Sequence, residues 1–288
     1  MTFADALKLG RISNLPTVWT NALAGMVLGG GLLAPVPQIL LLISVSLAYV
    51  GGMYLNDAFD AEIDARQRPE RPIPSGRVGR QPVFFAGAAM LISSILGLGV
   101  VGRLSDTGLW PASAGIGLAV AIVLYNWHHK ENPLGPLVMG ICRVLVYVAA
   151  ALSVNTLPPL ALWIGAALLL CHLIGLTLVA KHELRARMED IWPTAVLLLP
   201  LAYCLTIAYR EPIAIVLWLT LAGALYFALR AVRRRGTGDV GLAVMTLIAA
   251  ISLLDALLIA GQHQIGPAFL AALGFPLTLA LQRYVRGT

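Results

Sequence analysis

The chain is 288 residues long, with 59% hydrophobic residues, 12% charged residues and a formal net charge of +6. Its charged share is about half of what soluble domains carry, which excludes an ordinary water-soluble globule. The basic residues sit between long apolar segments, so the positive balance reads as a membrane-topology bias, and no nucleic-acid partner is expected.

Ten apolar segments recur at about 14–34, 36–56, 82–102, 109–127, 134–153, 158–180, 193–209, 212–231, 239–261 and 266–284. Each is long enough to approach or cross a ~30 Å hydrocarbon core. The expected fold is an all-α integral membrane protein of about ten transmembrane helices, a single transmembrane domain over 1–288. The first segment lacks a small-residue cleavage site and reads as a retained span. Lys8, Arg11, Arg66, Arg68, Arg71, Arg77, Arg80, Lys130, Lys181, Arg185, Arg187, Arg230, Arg233, Arg234, Arg235, Arg283 and Arg286 fall on one side of a ten-span layout. Only Arg103 and Arg210 fall on the other. The bias predicts a cytoplasmic-membrane protein with both termini cytoplasmic. Cys142, Cys171 and Cys204 lie inside spans and read as small hydrophobes.

In chain order, the first span carries Asn14 and Asn21, which share a helix face at i, i+7. They either line a cavity or bond between helices. Its Gly25, Gly29, Gly30 and Gly31 permit close helix packing. Where the second span meets a polar loop, four of the fourteen acidic residues crowd into positions 57–64. On an unbroken helix Asp57, Asp60 and Asp64 share one face. Like charges at that spacing destabilise a bare helix, and a divalent cation would relieve the conflict. Hard oxygen donors suit Mg²⁺, which commonly bridges carboxylates to substrate phosphates. The following Arg71-Pro72-Ile73-Pro74-Ser75-Gly76-Arg77 is stiffened by proline and presents guanidinium groups suited to orienting phosphate, or to anchoring on anionic lipid.

Further on, Arg143 lies inside the fifth span. An intramembrane arginine is a functional-site candidate, with a substrate anion or the acidic cluster as its expected partner. Asp255, deep in the ninth span and far from that cluster, reads as structural.

Asn56-Asp57-x-x-Asp60-x-x-x-Asp64 followed by Arg-Pro-Ile-Pro-Ser-Gly-Arg resembles the first aspartate-rich motif of the UbiA superfamily of intramembrane prenyltransferases. Chain length, span pattern and loop placement resemble it more loosely. The resemblance implies a nine-helix ring around a central cavity, here with one extra span. It also implies Mg²⁺ held by Asn56, Asp57, Asp60 and Asp64, and an isoprenyl diphosphate whose ionised chain is captured by an aromatic or other apolar acceptor. Arg71 and Arg77 would bind the diphosphate, and Asn14 and Asn21 would face substrate. At the end of the fourth span, Tyr125 and Lys130 resemble a Tyr-x-x-x-Lys step, one position longer than usual. Tyr125 would face the carbocation and Lys130 the diphosphate, the alternative being interfacial anchoring. Arg143 would serve the reaction.

The second motif departs from the family. Lys181 and Arg185 stand about where aspartates are expected, and Glu183, Glu189 and Asp190 are the remaining acids. Glu183 would then be the metal ligand there, with Lys181 as a fixed cation on the diphosphate. Such a motif resembles the divergent EboC-like branch. It leaves open a transporter or flippase of a hydrophobic metabolite on the same scaffold, or an assembly partner in a biosynthetic complex.

Overall fold

The computed structural model describes residues 1–128, 132–182, 192–234, 236 and 238–285. Among these the chain is helical: α1 (Phe3–Leu9), α2 (Leu15–Leu28), α3 (Pro35–Phe59), α4 (Ala61–Gln67), α5 (Arg80–Leu104), α6 (Trp110–His128), α7 (Gly135–Leu152), α8 (Leu160–His182), α9 (Trp192–Arg210), α10 (Pro212–Arg234), α11 (Asp239–Ala260) and α12 (Ile265–Gln282). Prolines pre-set the first turns of α2, α3 and α7, where a missing N–H costs nothing. Glycines cap the C-terminal ends of α1, α2 and α11.

Nine of the described helices, α3 and α5 to α12, are long and apolar enough to cross a membrane. The protein is a multi-pass membrane protein. The first expected span differs from the rest. A 3-10 turn at Ile12–Asn14 precedes α2, and α2 ends at Gly29. Its 14 residues rise about 21 Å at 1.5 Å per residue, short of a full crossing. Nearly all of α2 is buried by neighbouring helices.

α11 occupies the middle of the bundle: its apolar window is 78% buried, against 28% for α5, α9, α10 and α12. α2 packs on α7, α11 and α12, and α3 packs on α5. The approach of α2 to α7 depends on glycine. A Cβ at Gly25 would meet the Tyr147 carbonyl oxygen at 2.6 Å, and one at Gly29 would meet Ala151 Cα at 2.8 Å. Small residues let backbones approach in this way. Gly25 faces Tyr147 and Gly29 faces Ala151, four residues on in both helices, so α2 and α7 run parallel. That is the geometry of the first and fifth spans of an alternating chain.

The two ends of the chain meet. Gln282 Nε2 at the end of α12 donates to Asn14 Oδ1 at 3.0 Å.

Candidate functional site

The acidic stretch is bent. α3 stops at Phe59, Asp60 forms the junction, and α4 begins at Ala61. Asn56, Asp60 and Asp64 line one cavity of about 500 Å³, and Asp57 does not. Of the three carboxylates expected on one face, Asp60 and Asp64 line the cavity with the Asn56 amide, while Arg71 lies between Asp57 and Asp64. Among the described residues no three His, Cys, Asp or Glu side chains form a metal cage by themselves.

Asp57 is taken by arginines. Arg11 Nη2 reaches its Oδ1 at 3.2 Å and Asn56 Oδ1 at 3.1 Å. Arg11 has a left-handed backbone, φ 43°, a costly conformation for a non-glycine residue that recurs at functional sites. Arg71 Nη1 donates to Asp64 Oδ2 at 2.6 Å and lies 3.6 Å from Asp57 Oδ1. Asn56 Nδ2 donates to Asn126 Oδ1 at 3.1 Å, and Asn126 Nδ2 donates to the Gly52 carbonyl at 3.2 Å. These bonds hold the α3 end against α6.

The cavity has a polar mouth and an apolar interior. Arg11, Arg68 and Arg71 share the mouth with Asp60 and Asp64, and Tyr125 lies beside them in the lining. Deeper walls come from Leu118 and Ile122 of α6, Val146 of α7, Leu173 of α8 and Ile248 and Ile251 of α11. Asp60 and Asp64 offer only hard oxygen donors. That set suits Mg²⁺, which is usually held through one or two carboxylates with water and phosphate completing its shell.

Of the residues assigned from sequence, Asn14, Asn56, Asp60, Asp64, Arg71, Tyr125 and Arg143 come together on this cavity. Three do not line it. Asp57 faces Arg11 and Arg71. Arg77 is drawn to the N-terminal helix, where its Nε meets Asp5 Oδ1 at 3.1 Å and its Nη2 the Glu70 carbonyl at 3.0 Å. There the Thr2 hydroxyl, then its backbone N–H and Arg77, hold the Asp5 carboxyl below its ordinary range. Asn21 is fully buried behind the wall. Lys130 and Glu183, with Arg185, lie outside the described residues, and so does the Lys181 side chain at the last turn of α8.

Within the protein, Arg143 contacts Asn21 and Tyr49 rather than the acidic cluster. Its Nη1 donates to Asn21 Oδ1 at 3.0 Å, and its guanidinium carbon sits 5.3 Å from the centre of the Tyr49 ring. Asp255, expected to be structural, accepts from Asn21 Nδ2 with both carboxylate oxygens, at 2.9 and 3.2 Å, and from the Tyr147 hydroxyl. Sequence reasoning missed Arg11, Arg68 and Asn126 as site residues. Arg68 was within reach, since it sits in the same basic loop. Arg11 carried no signal beyond its charge near a span end.

A family model described as the UbiA prenyltransferase family matches residues 18–239. Over 210 residues the chain is 30% identical to digeranylgeranylglyceryl phosphate synthase of Methanopyrus kandleri, covering 73% of this chain and 71% of that enzyme. It is 28% identical over 169 residues to protoheme IX farnesyltransferase of Methylocella silvestris, covering 56% of this chain and about half, 51%, of that one. A solved structure of a digeranylgeranylglyceryl phosphate synthase in membranes has the same fold, with TM-score 0.61 at 16% identity over 91% of this chain and 98% of that one. With its bent aspartate-rich mouth opening on an apolar chamber, the chain belongs to the UbiA prenyltransferase family and is a prenyl-transferring enzyme.

Proposed function

We propose that this protein transfers an isoprenyl group from an isoprenyl diphosphate to a hydrophobic acceptor, lipid or aromatic, inside the membrane. The observation that carries the reading is the two-part cavity: oxygen ligands and arginines at the mouth, aliphatic walls beyond. Asp60 and Asp64, with Asn56 beside them, would hold Mg²⁺. Bound there, Mg²⁺ would neutralise charge on the leaving diphosphate. Arg71 and Arg11, pre-oriented by their carboxylate and amide partners, add fixed positive charge at the same mouth, and Arg68 adds a third guanidinium there. The aliphatic walls exclude water from the ionised chain. The Tyr125 ring in the lining offers a π face to a cation. The acceptor side is supported by the relatives, whose names place a prenyl group on a glycerophosphate lipid in one case and on haem in the other.

The orientation belongs to the same proposal. Asn14 lines the cavity and bonds Gln282, so both ends of the chain lie at the mouth. The arginine bias puts that end in the cytoplasm.

The test uses the purified full-length chain with geranylgeranyl diphosphate and Mg²⁺, and measures diphosphate release together with prenylated products by mass spectrometry. Release that disappears in Asp60→Ala supports the reading. Vectorial movement of a hydrophobic metabolite by reconstituted protein, with no diphosphate released, would replace it with the transporter reading.

A further inference from the structure

Behind the cavity wall, a chain of polar groups links three helices. Both carboxylate oxygens of Asp255 on α11 accept from Asn21 Nδ2 on α2, and the Asn21 amide oxygen accepts from Arg143 on α7. The chemistry leaves Asn21 one orientation. Its NH₂ must face the carboxylate, which only accepts, and its oxygen must face the guanidinium, which only donates. Tyr147, one turn after Arg143 on α7, donates its hydroxyl to the same carboxylate. Asn21, Tyr147 and Asp255 are all 0% exposed. A fully satisfied buried network of this kind fixes one geometry.

The fixed group is Arg143, which borders the cavity. A guanidinium has five N–H donors. Among the described residues, the Asn21 oxygen is the one side-chain or backbone acceptor that Arg143 bonds. The Tyr49 ring covers one face of the guanidinium. The other donors are therefore left to a ligand in the cavity.

That ligand is not the diphosphate at the mouth. Arg143 lies at the level of Tyr49. From Tyr49 to Asn56, the first mouth residue on α3, is about 10 Å at 1.5 Å per residue, longer than a diphosphate held on Asp60 and Asp64. A fixed cation is also misplaced beside an allylic cation, since the two repel. The remaining substrate is the acceptor.

We propose that Asp255 and Asn21 are positioning residues for the acceptor: they aim Arg143 at an oxygen atom of the acceptor's polar group, deep in the cavity. This rests on the prenyl-transfer reading above. Asp255→Asn replaces one carboxylate oxygen by a donor, which sets N–H against N–H or O–H in the network and loosens Arg143. The double exchange Asn21→Asp with Asp255→Asn returns a carboxylate and an amide to the chain in reverse order. It keeps an acceptor on Arg143.

The test is steady-state kinetics on the purified full-length chain with geranylgeranyl diphosphate as donor. Geranylgeranylglyceryl phosphate and 4-hydroxybenzoate are the probe acceptors, one a lipid and one an aromatic, both with oxygen-bearing polar groups. For the probe that wild type uses, Asp255→Asn and Arg143→Lys are expected to raise the acceptor KM about tenfold, the worth of one hydrogen bond to a charged group. The geranylgeranyl diphosphate KM should stay within about twofold. The double exchange should recover most of the acceptor KM. If Asp255→Asn fails to fold, the double exchange and Arg143→Lys carry the measurement. A purely structural network predicts lower thermal stability with both KM values unchanged, and that result overturns the proposal. A change in the diphosphate KM alone overturns it as well, as does wild-type diphosphate release with neither probe prenylated. Wild-type protein that releases no diphosphate at all sinks the prenyl-transfer reading, and this proposal with it.

Discussion

Arg71 Nη1 lies 2.6 Å from Asp64 Oδ2 at the cavity mouth, closer than to Asp57 Oδ1 at 3.6 Å. The guanidinium thus occupies a carboxylate that the proposed metal also needs. Both interactions are cationic, so they compete for Asp64 and cooperate on the diphosphate. Arg71→Met should therefore act with opposite signs on the two ligands. Mg²⁺ affinity without diphosphate should rise, and diphosphate affinity should fall. Each change should be about tenfold, the worth of a charge-assisted hydrogen bond. Titration calorimetry on the purified protein, with Mn²⁺ as an alternative probe, measures both. Equal losses of metal and diphosphate would show that Arg71 only shapes the loop.

Arg11 bonds Asn56 and Asp57 from a left-handed backbone. Two substitutions separate the side chain from the strain. Arg11→Gln and Arg11→Gly should both raise the KM for the isoprenyl diphosphate about tenfold, because each removes the guanidinium. Arg11→Gly should cost less stability than Arg11→Gln, since glycine adopts positive φ freely. A normal KM in both variants would confine Arg11 to holding Asp57.

The α2–α7 contact sets where Asn21 meets Arg143. Gly25→Ala would place a methyl group against the Tyr147 backbone, where a Cβ has only 2.6 Å. It should destabilise the protein by about 1–3 kcal/mol, the usual cost of overpacking. It should also lower turnover by shifting Asn21. Gly223 on α10 has nothing within 4 Å of a Cβ, and Gly223→Ala should stay within about 0.5 kcal/mol. Thermal denaturation in detergent checks both, and equal Tm values would mean that α2 and α7 have room to separate.

Topology is testable with single cysteines in a chain whose Cys142, Cys171 and Cys204 are replaced by alanine. Ser75→Cys should react with an impermeant thiol reagent only after the cells are opened. His263→Cys, past the end of α11 and beside Glu211, should react in intact cells. The reverse pattern would invert the protein and put the aspartate mouth outside.

Local pattern carried most of the fold. The helices that match the ten apolar segments, α2, α3 and α5 to α12, begin and end within a few residues of them, except α2, because length, hydropathy and Pro or Gly boundaries are local properties. Asn56, Asp60 and Asp64 were legible for the same reason: they are close neighbours in sequence at one end of one span. The sequence by itself therefore determined a multi-span helical protein with an acidic mouth beside a basic loop. Tertiary structure decided which side chains serve that mouth. Arg11 and Arg71 engaged Asp57, Asp5 drew Arg77 off to the N-terminal helix, and Arg11 arrived from before α2. Asn21 and Asp255 stand 234 positions apart, and no periodicity relates them. They meet because Gly25 and Gly29 let α2 settle onto α7 beside the buried α11, and a buried carboxylate must find its donors wherever the packing puts them.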